Sequence, residues 1–358
     1  MKTAVIMGTR PEIIKLAPII EKLPKSKNSV IFTGQHYDYS MGLRFIDQLG
    51  LRRPDYSLKL SKSNPTTQIG EIILKLSKIL QEINPDTVIV QGDTNTVLAS
   101  AVTALKSGIP ISHVESGLRS YDWRMPEEHN RIATDHMSEF LFAPTKTSKK
   151  ILINENVHGK SFVTGNTVID SINKFSKLSS KKSSIDIQSS DYILMTLHRA
   201  ENVDDKISLS SIIKAVVNSK ENIIFPVHPR TIKKLHDYNL YNKLQNSKNI
   251  SLIDSVGYFD MLELMKKSLF IITDSGGVQE EITSPNIKKK AIIVRKTTDR
   301  PESIESGFAQ LVGVSYSRIL STIKFTVSHP DVSSKKSPYG TGKTSETIIK
   351  ILRKNLRR

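Results

Sequence analysis

Short apolar runs alternate with stretches of helical period along almost the whole chain, and this alternation narrows the fold to α/β with parallel sheets. Residues 3–7 read as a first strand, 8–12 as a turn, and Pro11 suits the first helical position. Ile13, Ile14, Leu16, Ala17, Ile20 and Leu23 then give a helix its apolar face, and 30–33 read as a second strand ending in Gly34-Gln35-His36. A long amphipathic helix is expected over 65–83, with Ile69, Ile72, Ile73, Leu76 and Leu80 at helical spacing. The central stretch reads as strand 87–91, helix 96–106, strand 109–114, a loop over 116–125 and a helix opening with Pro126-Glu127-Glu128. Strands at 140–143 and 161–164 follow, with a helix from Ser148 between them and another after Gly165-Asn166-Thr167-Val168.

Residues 177–189 are lysine, serine and aspartate with almost nothing large, the composition of a linker. The alternation then restarts, with strands at 192–197, 223–227, 250–253, 269–273 and 291–294 and helices at 207–217 and 258–267. With 358 residues the chain suits two domains. The expected division is a domain over 1–176, the linker, a second domain over 190–335, and a basic C-terminal helix within 336–358.

The formal charge of +17 comes from lysines gathered in linkers and ends, without a nucleic-acid motif or interleaved aromatics. It reads as a solvated surface whose field suits an anionic small substrate, so no nucleic-acid partner is expected. There are no cysteines, which excludes disulfides and thiolate metal sites. The basic-then-apolar start, Met1 to Met7, is too short for a signal peptide or membrane span, so a cytoplasmic protein without membrane insertion is expected.

Three carboxylates, Asp93, Glu115 and Glu127, fall at strand ends or a helix start. In open parallel sheets ligands bind beyond the carboxyl ends of strands, where a carboxylate is better placed for chemistry than on a solvated face. Gly8-Thr9-Arg10-Pro11 follows a strand and opens a helix, so it is either an ordinary turn or an anion site to which Arg10 and Lys15 add charge. Asp274-Ser275-Gly276-Gly277 has two glycines that let backbone N–H groups approach a phosphate and a serine that adds a donor. Glu281, a helical turn on, suits ribose hydroxyls; the plainer alternative is a capping partner. His198 with Arg199 at a strand end suits a phosphate or leaving group, although a lone surface histidine is often only solvated. His228-Pro229-Arg230 is a weaker signal of the same kind. His113 and Glu115, one residue apart on a strand, share a face, but no HExxH or EF-hand pattern is present and no metal is expected.

Eight motifs in register resemble the non-hydrolysing UDP-N-acetylglucosamine 2-epimerases: residues 8–18, 33–36, 91–94, 113–119, 126–131, 165–168, 198–202 and 274–281. The resemblance runs from Met1 to about residue 313. It implies a GT-B-like fold, two Rossmann-type domains facing each other across a cleft, and conversion between UDP-GlcNAc and UDP-ManNAc without metal or nicotinamide. It further implies elimination of UDP to a 2-acetamidoglucal and re-addition with C2 inverted. By motif position, Asp93, Glu115 and Glu127 resemble the family's acid/base set and His198 a partner of the departing phosphate. Arg10, Lys15 and Arg131 resemble substrate contacts; Ser275, Gly276, Gly277, Glu281 and Arg300 resemble the UDP site. A homodimer is the family expectation.

Two departures stand out. After Gln35-His36, Tyr37-Asp38-Tyr39 stands where bacterial members carry Arg-Glu-Met, and Ser284 to Ala291 replaces the usual Leu-Gly-Lys-Pro. The competing readings are a 2-epimerase for a modified UDP-diacetamido sugar, a hydrolysing epimerase, a GT-B glycosyltransferase and a non-catalytic UDP-sugar sensor.

Overall fold

The computed structural model describes residues 1–35, 39–61, 64–186 and 191–356. The expected run from His36 to Asp38 and the end of the expected linker, 187–189, lie outside them. The chain forms two units, Met1–Ser171 with Tyr339–Arg358, and Ile172–Pro338. The first unit holds β1 (Thr3–Met7), β2 (Asn28–Phe32), β3 (Tyr56–Ser57), β4 (Thr87–Gln91), β5 (Ile111–Val114), β6 (Phe140–Ala143) and β7 (Lys160–Val163). The second holds β8 (Ile193–Thr196), β9 (Ile223–Val227), β10 (Ile250–Asp254), β11 (Ile271–Thr273), β12 (Ala291–Ile293) and β13 (Ala309–Leu311).

All strand pairs are parallel, in the orders β3-β2-β1-β4-β5-β6-β7 and β10-β9-β8-β11-β12-β13. Both units are therefore Rossmann-like, with the strand order reversing at β1/β4 in one and at β8/β11 in the other. A strand covered on both faces needs apolar residues on both, and Thr3–Met7, Thr87–Gln91 and Ile193–Thr196 are buried throughout. The edge strand Lys160–Val163 is half open and correspondingly mixed.

Helices Pro65–Ile83 and Asn95–Lys106 pack Ile72, Leu76, Val97 and Ala101 against Ala4, Ile6 and Val88 of the first sheet. Asn64 caps the longer helix by accepting from Thr67 N at 3.0 Å, with Pro65 in its first turn. In the second unit Leu209, Ile213, Ile319 and Ile323 close over Phe225, Phe270 and Ile292.

Two parts of the expected division differ. Residues 177–182, expected as linker, are the end of helix Thr167–Lys182, so the chain passes from one unit to the other within a helix. The small serines there serve close packing: Ser179 Oγ donates to Glu263 Oε1 at 2.5 Å, and Phe175 meets Tyr258 and Phe259 edge-on. The C-terminal basic helix, Thr344–Asn355, belongs to the first unit rather than following the second as a separate piece. Ile348, Ile349 and Leu352 supply its buried face. Its N-terminus is held by Asp170, which accepts from Thr344 N (3.1 Å), Ser345 N (2.9 Å) and Ser345 Oγ (2.6 Å).

Asp170→Ala removes this cap and leaves buried N–H groups unmet. We expect a stability loss of about 2–3 kcal/mol, with amide exchange in Thr344–Asn355 rising more than in Pro65–Ile83, as hydrogen exchange read by mass spectrometry would show.

Candidate active site

Turns after β1, β4 and β5 carry the first unit's candidates. Gly92, with φ of 84°, bends the chain out of β4 so that Asp93 lies beyond the sheet. Arg131 Nη2, from helix Pro126–Met137, meets Asp93 Oδ2 at 2.5 Å, and Arg131 Nη1 meets Glu128 Oε2 at 2.8 Å. Asp93 keeps part of its side chain open to solvent, whereas Arg131 is buried. After β5 the backbone turns left-handed at Glu115 (φ 71°), a conformation that costs a non-glycine residue about 1–3 kcal/mol. Its buried carboxylate accepts from Lys15 Nζ at 2.5 Å and from Gln91 Nε2 at 2.8 Å. Glu127 is half-buried in the first turn of helix Pro126–Met137, making no hydrogen bond or ion pair among the described residues. Arg10 is exposed with its guanidinium 5.5 Å from the centre of the Phe45 ring.

The expected shared face of His113 and Glu115 does not form, because the left-handed turn sends their side chains to different partners. His113 is fully buried, with Nδ1 2.7 Å from Asp135 Oδ1 and Nε2 2.8 Å from the Gly92 carbonyl. Burial raises the Asp135 pKa, but His113 and Arg119 outweigh it and hold the carboxyl below its usual range. Arg119 Nη1 reaches Asp135 Oδ2 at 2.8 Å, and its other nitrogens grip Glu155. Gly117 N also donates to Asp135 Oδ2, at 3.1 Å.

The second unit presents a matching arrangement at β8/β11. Asp274, fully buried, accepts from the backbone of His198 and Arg199 at 3.2 and 3.0 Å and from Asn202 Nδ2 at 3.3 Å. His198 Nδ1 lies 3.3 Å from Asp274 Oδ1, with the imidazole partly exposed. Desolvation, with the Arg199 and His228 charges, outweighs Asp274 and holds His198 below its ordinary pKa. Ser275 Oγ accepts from Val278 N at 3.4 Å and begins helix Gly276–Glu281. A Cβ on Gly276 would stand 3.6 Å from Arg199 Nη2 and 3.7 Å from Arg300 Cζ, whereas one on Gly277 would meet only Ser275 Oγ, at 3.8 Å. Arg300 is buried, donating to Glu280 Oε1 at 2.7 Å and to Asp299. Glu281 is half-buried beside the buried Tyr258 phenol, whose pKa burial and this carboxylate both raise.

The family model for UDP-N-acetylglucosamine 2-epimerase matches residues 19–353. The chain belongs to the UDP-N-acetylglucosamine 2-epimerase family. It is 42% identical over 365 residues to the UDP-N-acetylglucosamine 2-epimerase of Methanocaldococcus jannaschii, covering 98% of this chain and 99% of that one. The crystal structure of a Methanocaldococcus jannaschii UDP-GlcNAc 2-epimerase in complex with UDP-GlcNAc and UDP superposes with a TM-score of 0.88, at 41% identity, over 99% of this chain and 100% of that one. A third relative, the UDP-2,3-diacetamido-2,3-dideoxy-D-glucuronate 2-epimerase of Pseudomonas aeruginosa, is 34% identical over 99% of this chain and all of its own length.

Within this family frame, the structure brings Asp93 together with Arg131, and Glu115 with Lys15, at one strand-order reversal. Ser275, Gly276, Gly277, His198 and Arg300 gather at the other. Sequence reasoning passed over Glu12, which is buried at the β1 turn, and Asp274 as an acceptor for the His198 turn. It also passed over Arg295, fully buried 3.4 Å from Glu201 and 3.5 Å from Asp299, with burial lowering its pKa. A signal for Arg295 existed: a charge directly after the apolar run Ile292-Ile293-Val294, as at His198. Among the described residues, no group of three or more His, Asp and Glu side chains is arranged to hold a metal ion. None of the described helices is long and apolar enough to cross a membrane.

Lys15→Met would leave Glu115 buried without its cation. Urea unfolding is expected to show a loss of about 3–5 kcal/mol, most of it regained in the Lys15→Met/Glu115→Gln double variant.

Proposed function

We propose that the protein interconverts UDP-GlcNAc and UDP-ManNAc by eliminating UDP and adding it back with C2 inverted. The observation that carries this reading is the Asp93–Arg131 and Lys15–Glu115 grouping at one strand-order reversal of a chain from this family. The proton at C2 is weakly acidic, so its removal must be coupled to departure of the nucleotide. A carboxylate takes that proton, the C2–H electrons form the C1=C2 double bond, and the C1–O electrons leave with the β-phosphate. The return adds UDP across the glycal and delivers a proton to the opposite face of C2, which needs acid/base groups on both faces. Asp93, Glu115 and Glu127 are our acid/base set, with Lys15 ion-paired to Glu115 and Arg131 to Asp93.

Charge developing on the departing phosphate calls for donors already in place. We assign that task to His198 and Arg300, with Arg10 and Lys15 as further substrate contacts. The resting His198 is held towards its neutral form, which still donates one N–H. Ser275 and the backbone of Gly276 and Gly277 take the diphosphate, a Cβ on Gly277 meeting only Ser275 Oγ, and Glu281 takes the ribose hydroxyls. In this reading the first unit works on the sugar and the second holds UDP. The substrates are soluble nucleotide sugars, so we place the protein in the cytoplasm, and we expect a homodimer, a two-fold pair being the commonest soluble assembly. The Pseudomonas aeruginosa relative favours one alternative, a modified UDP-diacetamido sugar as substrate.

Proton NMR in heavy water with UDP-GlcNAc alone tests the proposal. UDP-ManNAc carrying deuterium at C2, with no free sugar, is the expected result. Free N-acetylmannosamine with UDP would mark a hydrolysing enzyme. Turnover of only a diacetamido-uronate would mark the alternative substrate. Asp93→Asn and Glu127→Gln should each lower kcat by about 100-fold or more while the circular dichroism spectrum stays as in the parent.

A further inference from the structure

We infer that Glu12 is a positioning residue whose buried carboxylate clasps the turn after β1 to the turn after β4, setting Arg10 and Asp93 relative to one another. Glu12 is 1% exposed. Its Oε2 accepts from Gly8 N at 2.5 Å and Thr9 N at 3.1 Å, the two residues before Arg10. Its Oε1 accepts from Thr94 Oγ1 at 2.5 Å, the residue after Asp93. The bond from Thr9 N belongs to the capping box at the start of helix Arg10–Lys22, and the bond from Gly8 N is a further one. The third bond is not local: it joins positions 82 apart. The Thr94 hydroxyl also accepts from Val97 N at 3.3 Å and so caps helix Asn95–Lys106. One carboxylate thus fixes the start of both helices that flank the strand-order reversal.

As a carboxylate Glu12 accepts at both oxygens. Protonated at Oε1 it still accepts from Gly8 N and Thr9 N at Oε2 and donates to the Thr94 hydroxyl, so the clasp holds in either form. Burial pushes the Glu12 pKa up to about 7 against the bonds from Thr94, Gly8 and Thr9, and the charge of Asp93 adds to the rise. The nearby cations of its own helix are engaged elsewhere, Lys15 with Glu115 and Arg10 over Phe45. Because the folded value lies above the ordinary 4.5, Glu12 favours the fold most at low pH, and its contribution is lost as pH rises from about 4.5 to about 7.

This inference rests on the proposed epimerase reading, and its test keeps the two apart. Glu12→Ala should lower kcat about 10-fold with KM for UDP-GlcNAc within about 3-fold. Glu12→Gln, whose amide oxygen accepts from Gly8 N and Thr9 N while its amide nitrogen donates to Thr94, should restore most of that loss. Thr94→Ala, which removes the bond between the two turns, should lower kcat in the same way, and Thr94→Ser should return it. An unchanged kcat in Glu12→Ala or in Thr94→Ala would overturn the role; if Glu12→Ala does not fold, the Thr94 pair decides. A parent inactive on UDP-GlcNAc would overturn the epimerase reading instead. The clasp is then judged by melting temperature, where Glu12→Ala and Thr94→Ala equal to the parent would refute it.

Discussion

A carboxylate buried where the strand order reverses must find donors there, and in both units it finds them in the neighbouring turn. In the first unit Glu12 takes backbone N–H groups from the β1 turn and the Thr94 hydroxyl from the β4 turn. In the second, Asp274 sits on the β11 turn and takes the backbone N–H groups of His198 and Arg199 from the β8 turn. Strands of a parallel sheet diverge at such a point because their following helices cross to opposite faces. The gap is bordered by turn N–H groups that no ladder satisfies, and an anionic side chain meets several of them at once. Those bonds hold together the turns that carry Arg10, Asp93 and His198.

Around this centre the first unit has a second buried layer of charge. His113, Asp135, Arg119 and Glu155 form a hydrogen-bonded chain reaching from the Gly92 carbonyl to the loop after Glu115. The carbonyl of Gly92 can only accept, so His113 Nε2 carries a proton, and Asp135, held below its usual pKa by His113 and Arg119, faces Nδ1. Glu115 can hold its left-handed backbone because both sides of the turn are pinned, by Phe142 O to its own N–H at 3.1 Å and by Asp135 to Gly117 N. A Cβ on Gly117 would strike the Ser148 carbonyl, which leaves only glycine for that step of the loop.

Much of this was legible in the chain itself. Fully buried strands announce themselves as unbroken apolar runs, and the turns after them carried Asp93, Glu115, His198 and Ser275 in view. What stayed hidden has physical reasons. Glu12 and Asp274 read as turn residues, since nothing in a sequence reports which distant turn supplies a donor. Serines 179 and 180 looked like linker because small polar residues signal both exposure and close helix packing; here Glu263 and Lys266 decide for packing. Ala309–Leu311 is a three-residue edge strand with an outward Gln310, too short for a pattern to emerge. The correct partner for the C-terminal helix depended on Asp170, whose role as a cap from 174 positions away no local rule anticipates.

That last contact makes the second unit an insertion within the first, since the chain leaves the first at Ser171 and returns at Tyr339. In chain order the strands that lead to Asp93 and Glu115 precede the second unit, and the helix that closes their body follows it. Residues 172–338 hold all six strands of their sheet between these two pieces, so their folding need not wait for Thr344–Asn355. The part we assign to nucleotide binding would then be ready before the part we assign to chemistry, and a chain cut short before Thr344–Asn355 would carry the reacting groups on an unfinished body.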